Sequence, residues 1–170
     1  MKKCILNLSF LLAVSVLFLG CENKNQKQEK ANVQKTRISA KFNSDSAFNF
    51  IQRQVDFGPR VPGSSAHDQT AIYLEKKLAE YCDTAFTQYG TVTNHLNQNI
   101  QIKNIVGSFN LSKKKRVLLC AHWDTRPMAD QDAERPTEPS DGANDGASGV
   151  GVLIEAARQL RLQRPDAGVD

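Results

Sequence analysis

The chain has 170 residues, with 22 Lys and Arg against 18 Asp and Glu, a formal net charge of +4. Much of that excess sits in Lys24, Lys27, Lys30, Lys35, Arg37 and Lys41, so it says little about the folded part, for which no nucleic-acid partner is expected. Cys4 and Cys21 also lie in the N-terminal segment, which leaves only Cys82 and Cys120 and excludes a disulfide framework.

Lys2 and Lys3 precede an apolar run from Ile5 to Leu19 that is interrupted only by Asn7, Ser9 and Ser15. A basic start and an apolar stretch too short to span a bilayer predict a secretory signal over residues 1–20. Its end, Leu17-Phe18-Leu19-Gly20-Cys21, resembles the lipobox of bacterial lipoproteins. The resemblance implies that the Cys21 thiol is lipidated, which gives an exported protein held to a membrane through its lipid and facing the periplasm or cell surface. The competing reading is an ordinary signal peptide with a chance cysteine. Glu22 to Lys41 is rich in Asn, Gln and Lys and nearly free of large apolar side chains, so residues 21–41 are predicted to form a flexible tether.

Residues 42–170 are long enough for one small domain with a core. Ser44 or Asp45 is predicted to cap a helix whose inner stripe is Ala47, Phe48, Ile51 and Val55, and Gly58-Pro59 stops it. After Val61-Pro62-Gly63, Ser65 is predicted to cap a second helix with Ala71, Leu74, Leu78 and Tyr81 inward. Two strands follow, over Phe86 to Val92 and around Ile100, Ile102, Ile105 and Val106, and Lys113-Lys114-Lys115 falls in a solvated turn. Val117-Leu118-Leu119-Cys120-Ala121 is a continuous apolar run, as expected of a strand buried on both faces of an α/β sheet. Cys82 and Cys120 can pair in an oxidising compartment or stay as buried thiols. A polar loop then leads to an apolar helix beginning near Gly146 and containing Val150, Val152, Leu153, Ile154, Ala157 and Leu160.

Polar chemistry starts where the apolar run ends, at His122, Trp123, Asp124 and Thr125, and the ends of such strands are where α/β sheets hold ligands. A neutral imidazole ligates metal, and a carboxylate two positions on can orient its ring, although this spacing also suits a structural pair. The second feature is Asp141-Gly142-Ala143-Asn144-Asp145-Gly146-Ala147-Ser148-Gly149, in which small residues leave room around a carboxylate. A phosphate loop would carry a lysine and would not bring aspartates to the anion. A plain Gly-rich turn before a helix is the remaining alternative.

The strand ending in His122-Trp123-Asp124, the loop, and Asp145 in a Gly- and Ala-rich turn together resemble the co-catalytic zinc aminopeptidases and their relatives, the glutaminyl cyclases. The resemblance implies an α/β, three-layer zinc-peptidase-like fold with a mixed central sheet, zinc as cofactor, and peptide or protein N-termini as substrate. In the aminopeptidases the histidine matching His122 binds one zinc and the aspartate matching Asp145 bridges two. In the cyclases one zinc is kept, and the aspartate matching Asp145 is among its ligands. Asp124 would orient the His122 ring. Arg60-Val61-Pro62-Gly63-Ser64 and Ala121-His122-Trp123-Asp124-Thr125-Arg126-Pro127 resemble the bacterial cyclases in particular. The chain lacks the cysteine that animal cyclases carry after the metal aspartate, and only Cys120 lies near these motifs.

The family also uses an acidic pair on the following strand and a late histidine. None of these is present before Asp170, so a domain incomplete at its C-terminus, with no assignable catalytic residue, is expected. His67 is predicted in the first turn of a surface helix and His95 in a polar turn, and neither matches a metal motif. The expected activity of the whole enzyme is cyclisation of N-terminal glutamine to pyroglutamate with release of ammonia. The alternatives are an aminopeptidase with two zincs and a non-catalytic surface lipoprotein that keeps the fold for binding.

Overall fold

The computed structural model describes residues 41–94 and 96–170. The predicted signal peptide, the Cys21 lipid anchor, all of the predicted tether except Lys41, and His95 lie outside the described residues.

Helix α1 spans Ser44–Asp56. Its cap is Asn43, ahead of the expected Ser44 or Asp45, and the Asn43 side-chain oxygen accepts from the Ser46 N–H at 2.9 Å. Ala47 and Gln54 are buried while Phe50 and Ile51 are half-buried, a stripe at helical spacing. Phe48, predicted inside, is 64% exposed, because one step of about 100° from Ala47 turns it off that stripe. Helix α2 spans Ser65–Tyr81 and is capped by Ser64, not Ser65, through a 3.1 Å bond from the His67 N–H. Ala71 and Leu74 are buried as predicted, with Leu78 and Tyr81 at the margin.

Strands β1 (Thr84–Thr93) and β2 (Asn99–Ser108) form an antiparallel hairpin that runs in register from Thr84 opposite Ser108 to Thr93 opposite Asn99. Strand β3 (Arg116–Val117) pairs in parallel with β4 (Gly168–Val169). Phe109, just past β2, makes an antiparallel bridge with Val169, so β4 lies between the end of β2 and β3 and the pairing is mixed. A kinked π-type turn over Ala143–Ser148 leads into helix α3, Gly149–Leu162, whose regular turns start three residues beyond the expected Gly146.

Helix α3 holds the core together. Val150 and Ile154 pack with Ala71, Leu74 and Trp123, while Ala157 packs with Cys82, Phe109 and Val169. Gly151 lets α3 approach α1, since a Cβ there would come within 2.6 Å of Ile51 Cγ1 and 2.8 Å of the Ala47 carbonyl oxygen.

The run Val117–Ala121 departs from expectation. Only its first residue lies in a paired strand, and Val117, Leu118 and Leu119 are 49%, 73% and 43% exposed. The Leu119 N–H donates to the Asp170 carbonyl and the Asp170 N–H to the Val117 carbonyl, so one edge is satisfied. Among the described residues no strand pairs with the opposite edge of β3, which is why an apolar sequence built for burial stands in solvent. Cys120 is correspondingly an exposed free thiol and Cys82 a buried one. Burial pushes the Cys82 thiol up to about 11, which leaves it uncharged and unreactive at neutral pH.

Candidate metal centre

The two sequence features meet. His122 Nε2 lies 2.8 Å from Asp145 Oδ1, and on the other side of the ring His122 Nδ1 lies 3.4 Å from Asp124 Oδ1. The imidazole is thus bracketed by two carboxylates. The His122 and Asp145 side chains are 57% and 66% exposed, so an ion reaches them from solvent without rearranging the core.

Local backbone explains the meeting. Gly142 adopts φ +60°, which starts the turn, and Asp145 breaks the helical run at φ −110° and ψ 94°, aiming its carboxylate at His122. The Asp145–Gly146 peptide is cis. Gly146 sits against the strand end, where a Cβ would come within 2.3 Å of the His122 carbonyl oxygen. Ala147, wholly buried, then anchors the turn. The residues that follow His122 are held as well: Trp123 donates from Nε1 to the Lys103 carbonyl at 3.1 Å, and the Thr125 N–H donates to the Arg60 carbonyl at 3.1 Å.

An imidazole nitrogen and a carboxylate oxygen this close form one edge of a metal polyhedron. Bonds of about 2.0–2.1 Å in tetrahedral geometry put ligand atoms roughly 3.3 Å apart, so the 2.8 Å pair has only to open by about half an ångström. Among the described residues no group of three or more His, Cys, Asp and Glu converges. The donors present therefore fit part of a metal site, two ligands of the three or four that zinc takes from protein.

His67, predicted on a surface, is buried, and its ring stacks on Trp123 at 4.2 Å between centroids and 14° between planes. Its Nδ1 has no hydrogen-bond partner, and burial, seconded by Lys103, moves its pKa down, so it stays neutral. Both rings border a groove of about 630 Å³ whose apolar wall includes Leu74, Leu118 and Ile154 and whose polar lining includes His122 and Asp124. Sequence reading missed this stack although His67 stands at i to Ala71 at i+4 and Leu74 at i+7, on the one helical face that is buried. A Trp flanked by two chemistry-bearing residues was the available signal that a ring would cover it.

Residues 104–170, which hold His122, Asp124 and Asp145, match peptidase family M28. The fold superposes on the glutaminyl cyclase of Tannerella forsythia with TM-score 0.73 at 45% identity, covering 75% of this chain and 45% of that one. The glutaminyl cyclase of Porphyromonas gingivalis gives 0.74 at 42% identity, over 77% and 46% of the two chains. A Zn-dependent exopeptidase from Parabacteroides distasonis gives 0.72 at 42% identity, over 75% and 44%. The chain thus spans under half the length of these solved structures, and about a third of the curated relatives it matches.

Proposed function

From the match of residues 104–170 to peptidase family M28 we propose that the whole protein is a zinc-dependent enzyme of peptide N-termini, a glutaminyl-peptide cyclotransferase. In that reaction the α-amine nitrogen of an N-terminal glutamine bonds to its own γ-amide carbon, the carbon–nitrogen bond of the amide breaks, and ammonia leaves with the proton the amine gives up. The reading is carried by the 2.8 Å approach of His122 Nε2 to Asp145 Oδ1 on a fold that two bacterial cyclases share at 42–45% identity. Zinc held there supplies a Lewis acid that polarises a carbonyl. Asp145 contributes a ligand oxygen, His122 Nε2 stands beside it, and Asp124 sits by Nδ1 so that the ring keeps its orientation. We place the protein outside the cytoplasm, anchored through lipid on Cys21.

A second reading, an aminopeptidase with two zincs, has the same support from geometry, because an aspartate shared with a neighbouring histidine is what a bridging ligand requires, and a Zn-dependent exopeptidase shares the fold. The test uses the native gene product purified from its own cells. Ammonia released from glutaminyl peptides with one tightly bound zinc per chain is the expected result. Two zincs per chain with release of free N-terminal residues would replace the cyclase by the peptidase. His122→Ala separates the two again: a full single zinc retained fits the cyclase, and one of two lost fits the peptidase.

A further inference from the structure

Arg60 belongs to the segment between α1 and α2 and is completely buried. Its hydrogen bonds run to main-chain carbonyls on both halves of the metal pair's support. Nε donates to Trp123 at 3.0 Å, between His122 and Asp124. Nη1 donates to Asp141 at 3.0 Å and Nη2 to Gly142 at 2.8 Å, just ahead of Asp145. Nη1 also reaches Gln54 and Gly58, both at 3.3 Å, which ties the fork to the end of α1. The Gly142 carbonyl accepts from the Ala147 N–H too, at 3.1 Å, so the guanidinium is linked directly into the turn that presents Asp145.

A packing role alone does not require this pattern. A buried guanidinium carries a desolvation cost that an apolar side chain avoids, and here burial lowers the pKa while the Asp141 and Asp124 carboxylates raise it. What the charge brings is a rigid planar fork able to hold two separate chain segments at a fixed spacing, which an ammonium cannot do. Gly142 leaves the fork its space, since a Cβ there would come within 2.6 Å of Nη2.

We propose that Arg60 is a positioning residue for the metal pair: its fork sets the spacing between the His122 strand end and the Asp145 turn, and thereby the affinity of the pair for a divalent cation. The proposal rests on Asp145 being a metal ligand. It does not depend on whether His122 ligates as well or only hydrogen-bonds to Asp145.

Zn2+ titrated into the 170-residue chain, followed by backbone amide NMR shifts, tests it with wild type, Asp145→Ala, Arg60→Lys and Arg60→Met. Circular dichroism and thermal melting run in parallel. We expect Asp145→Ala to lose binding. Arg60→Lys should stay folded and bind Zn2+ about tenfold more weakly or worse, with its amide shifts confined to the strand end and the turn, and Arg60→Met should bind no better than Arg60→Lys. A folded Arg60→Lys that binds within about twofold of wild type, while Asp145→Ala does lose binding, overturns the clamp and spares the metal reading. Unaltered binding by Asp145→Ala overturns both. Should neither Arg60 variant fold, proton exchange at Arg60 Nε in the wild type decides. Protection that deepens as Zn2+ saturates supports the clamp, and exchange indifferent to Zn2+ overturns it.

Discussion

Replacing Gly146 by alanine asks how tightly the Asp145 turn is pinned to the strand end at His122. The new Cβ would lie 2.3 Å from the His122 carbonyl oxygen and 2.7 Å from both Cε1 and Nε2 of the ring. A relaxed carbon–oxygen contact is about 3.3 Å, so turn and strand must separate by roughly 1 Å. Asp145 immediately precedes the substituted residue and moves with it, so the 2.8 Å Nε2–Oδ1 distance should open to about 3.5 Å or more. Forcing an extra methyl into a packed site costs about 1–3 kcal/mol. For a domain of this size that is a fall in Tm of roughly 3–5 °C per kcal/mol. Urea and thermal unfolding read the stability, and Zn2+ titration reads the pair. Gly149→Ala is the comparison, because its Cβ would meet only the Ala121 Cβ, at 3.0 Å, and the helical φ −58° and ψ −45° of Gly149 suit alanine. Gly146→Ala within about 0.5 kcal/mol of wild type, and binding Zn2+ equally well, would refute the close approach of turn and strand.

The 170-residue chain by itself should bind zinc weakly and show no turnover of glutaminyl or aminoacyl substrates, because its described residues bring together two candidate ligands where about three are needed; measurable turnover would refute this by requiring a catalytic carboxylate within the chain. Ile154→Ala should cost about 2–5 kcal/mol in urea unfolding, since Ile154 is 2% exposed at the junction of α3 with α2 and Trp123. Asp83 and Asp170 are each held down to about 2, chiefly by hydrogen bonds from Arg164 and Arg116 respectively. Their stabilisation is therefore fully present above an ordinary carboxylate pKa of about 3.9 and lost as pH falls towards 2, so Asp83→Asn should flatten the acid limb of the stability curve in that window and change little of its shape above it. Cys21→Ser should abolish palmitate labelling and membrane fractionation in cells, and unchanged labelling would end the lipoprotein reading.

Much of the site was legible because it is carried by local chemistry. His122 follows an apolar run, Asp145 sits among glycines and alanines, and these signals lie within a few residues of the groups they mark. The same locality located both helices, since spacing at Ala71 and Leu74 reports one face directly. What was not legible depends on contacts distant in sequence. Gln54 and Arg60 look like surface residues and are wholly buried, because carbonyls from a segment over 80 residues later complete Arg60's hydrogen bonding and the Ala147 carbonyl receives Gln54. His67 shares the face of Ala71 and Leu74, but the ring it stacks on, Trp123, lies far along the chain. The apolar run was misjudged for the opposite reason: its composition describes burial on both faces, and the described residues cover only part of it.

That uncovered run shapes how the polypeptide behaves in a test tube. Among the described residues the β edge next to Val117, Leu118 and Leu119 is unpaired, and it offers main-chain donors and acceptors to any similar strand, in a stretch without proline or charge. The lysines at 113, 114 and 115 stand immediately upstream as like charges that repel a second copy approaching in register. Self-association should therefore rise with salt, which screens those lysines, before it rises with temperature, and low ionic strength is the condition under which the chain stays dispersed.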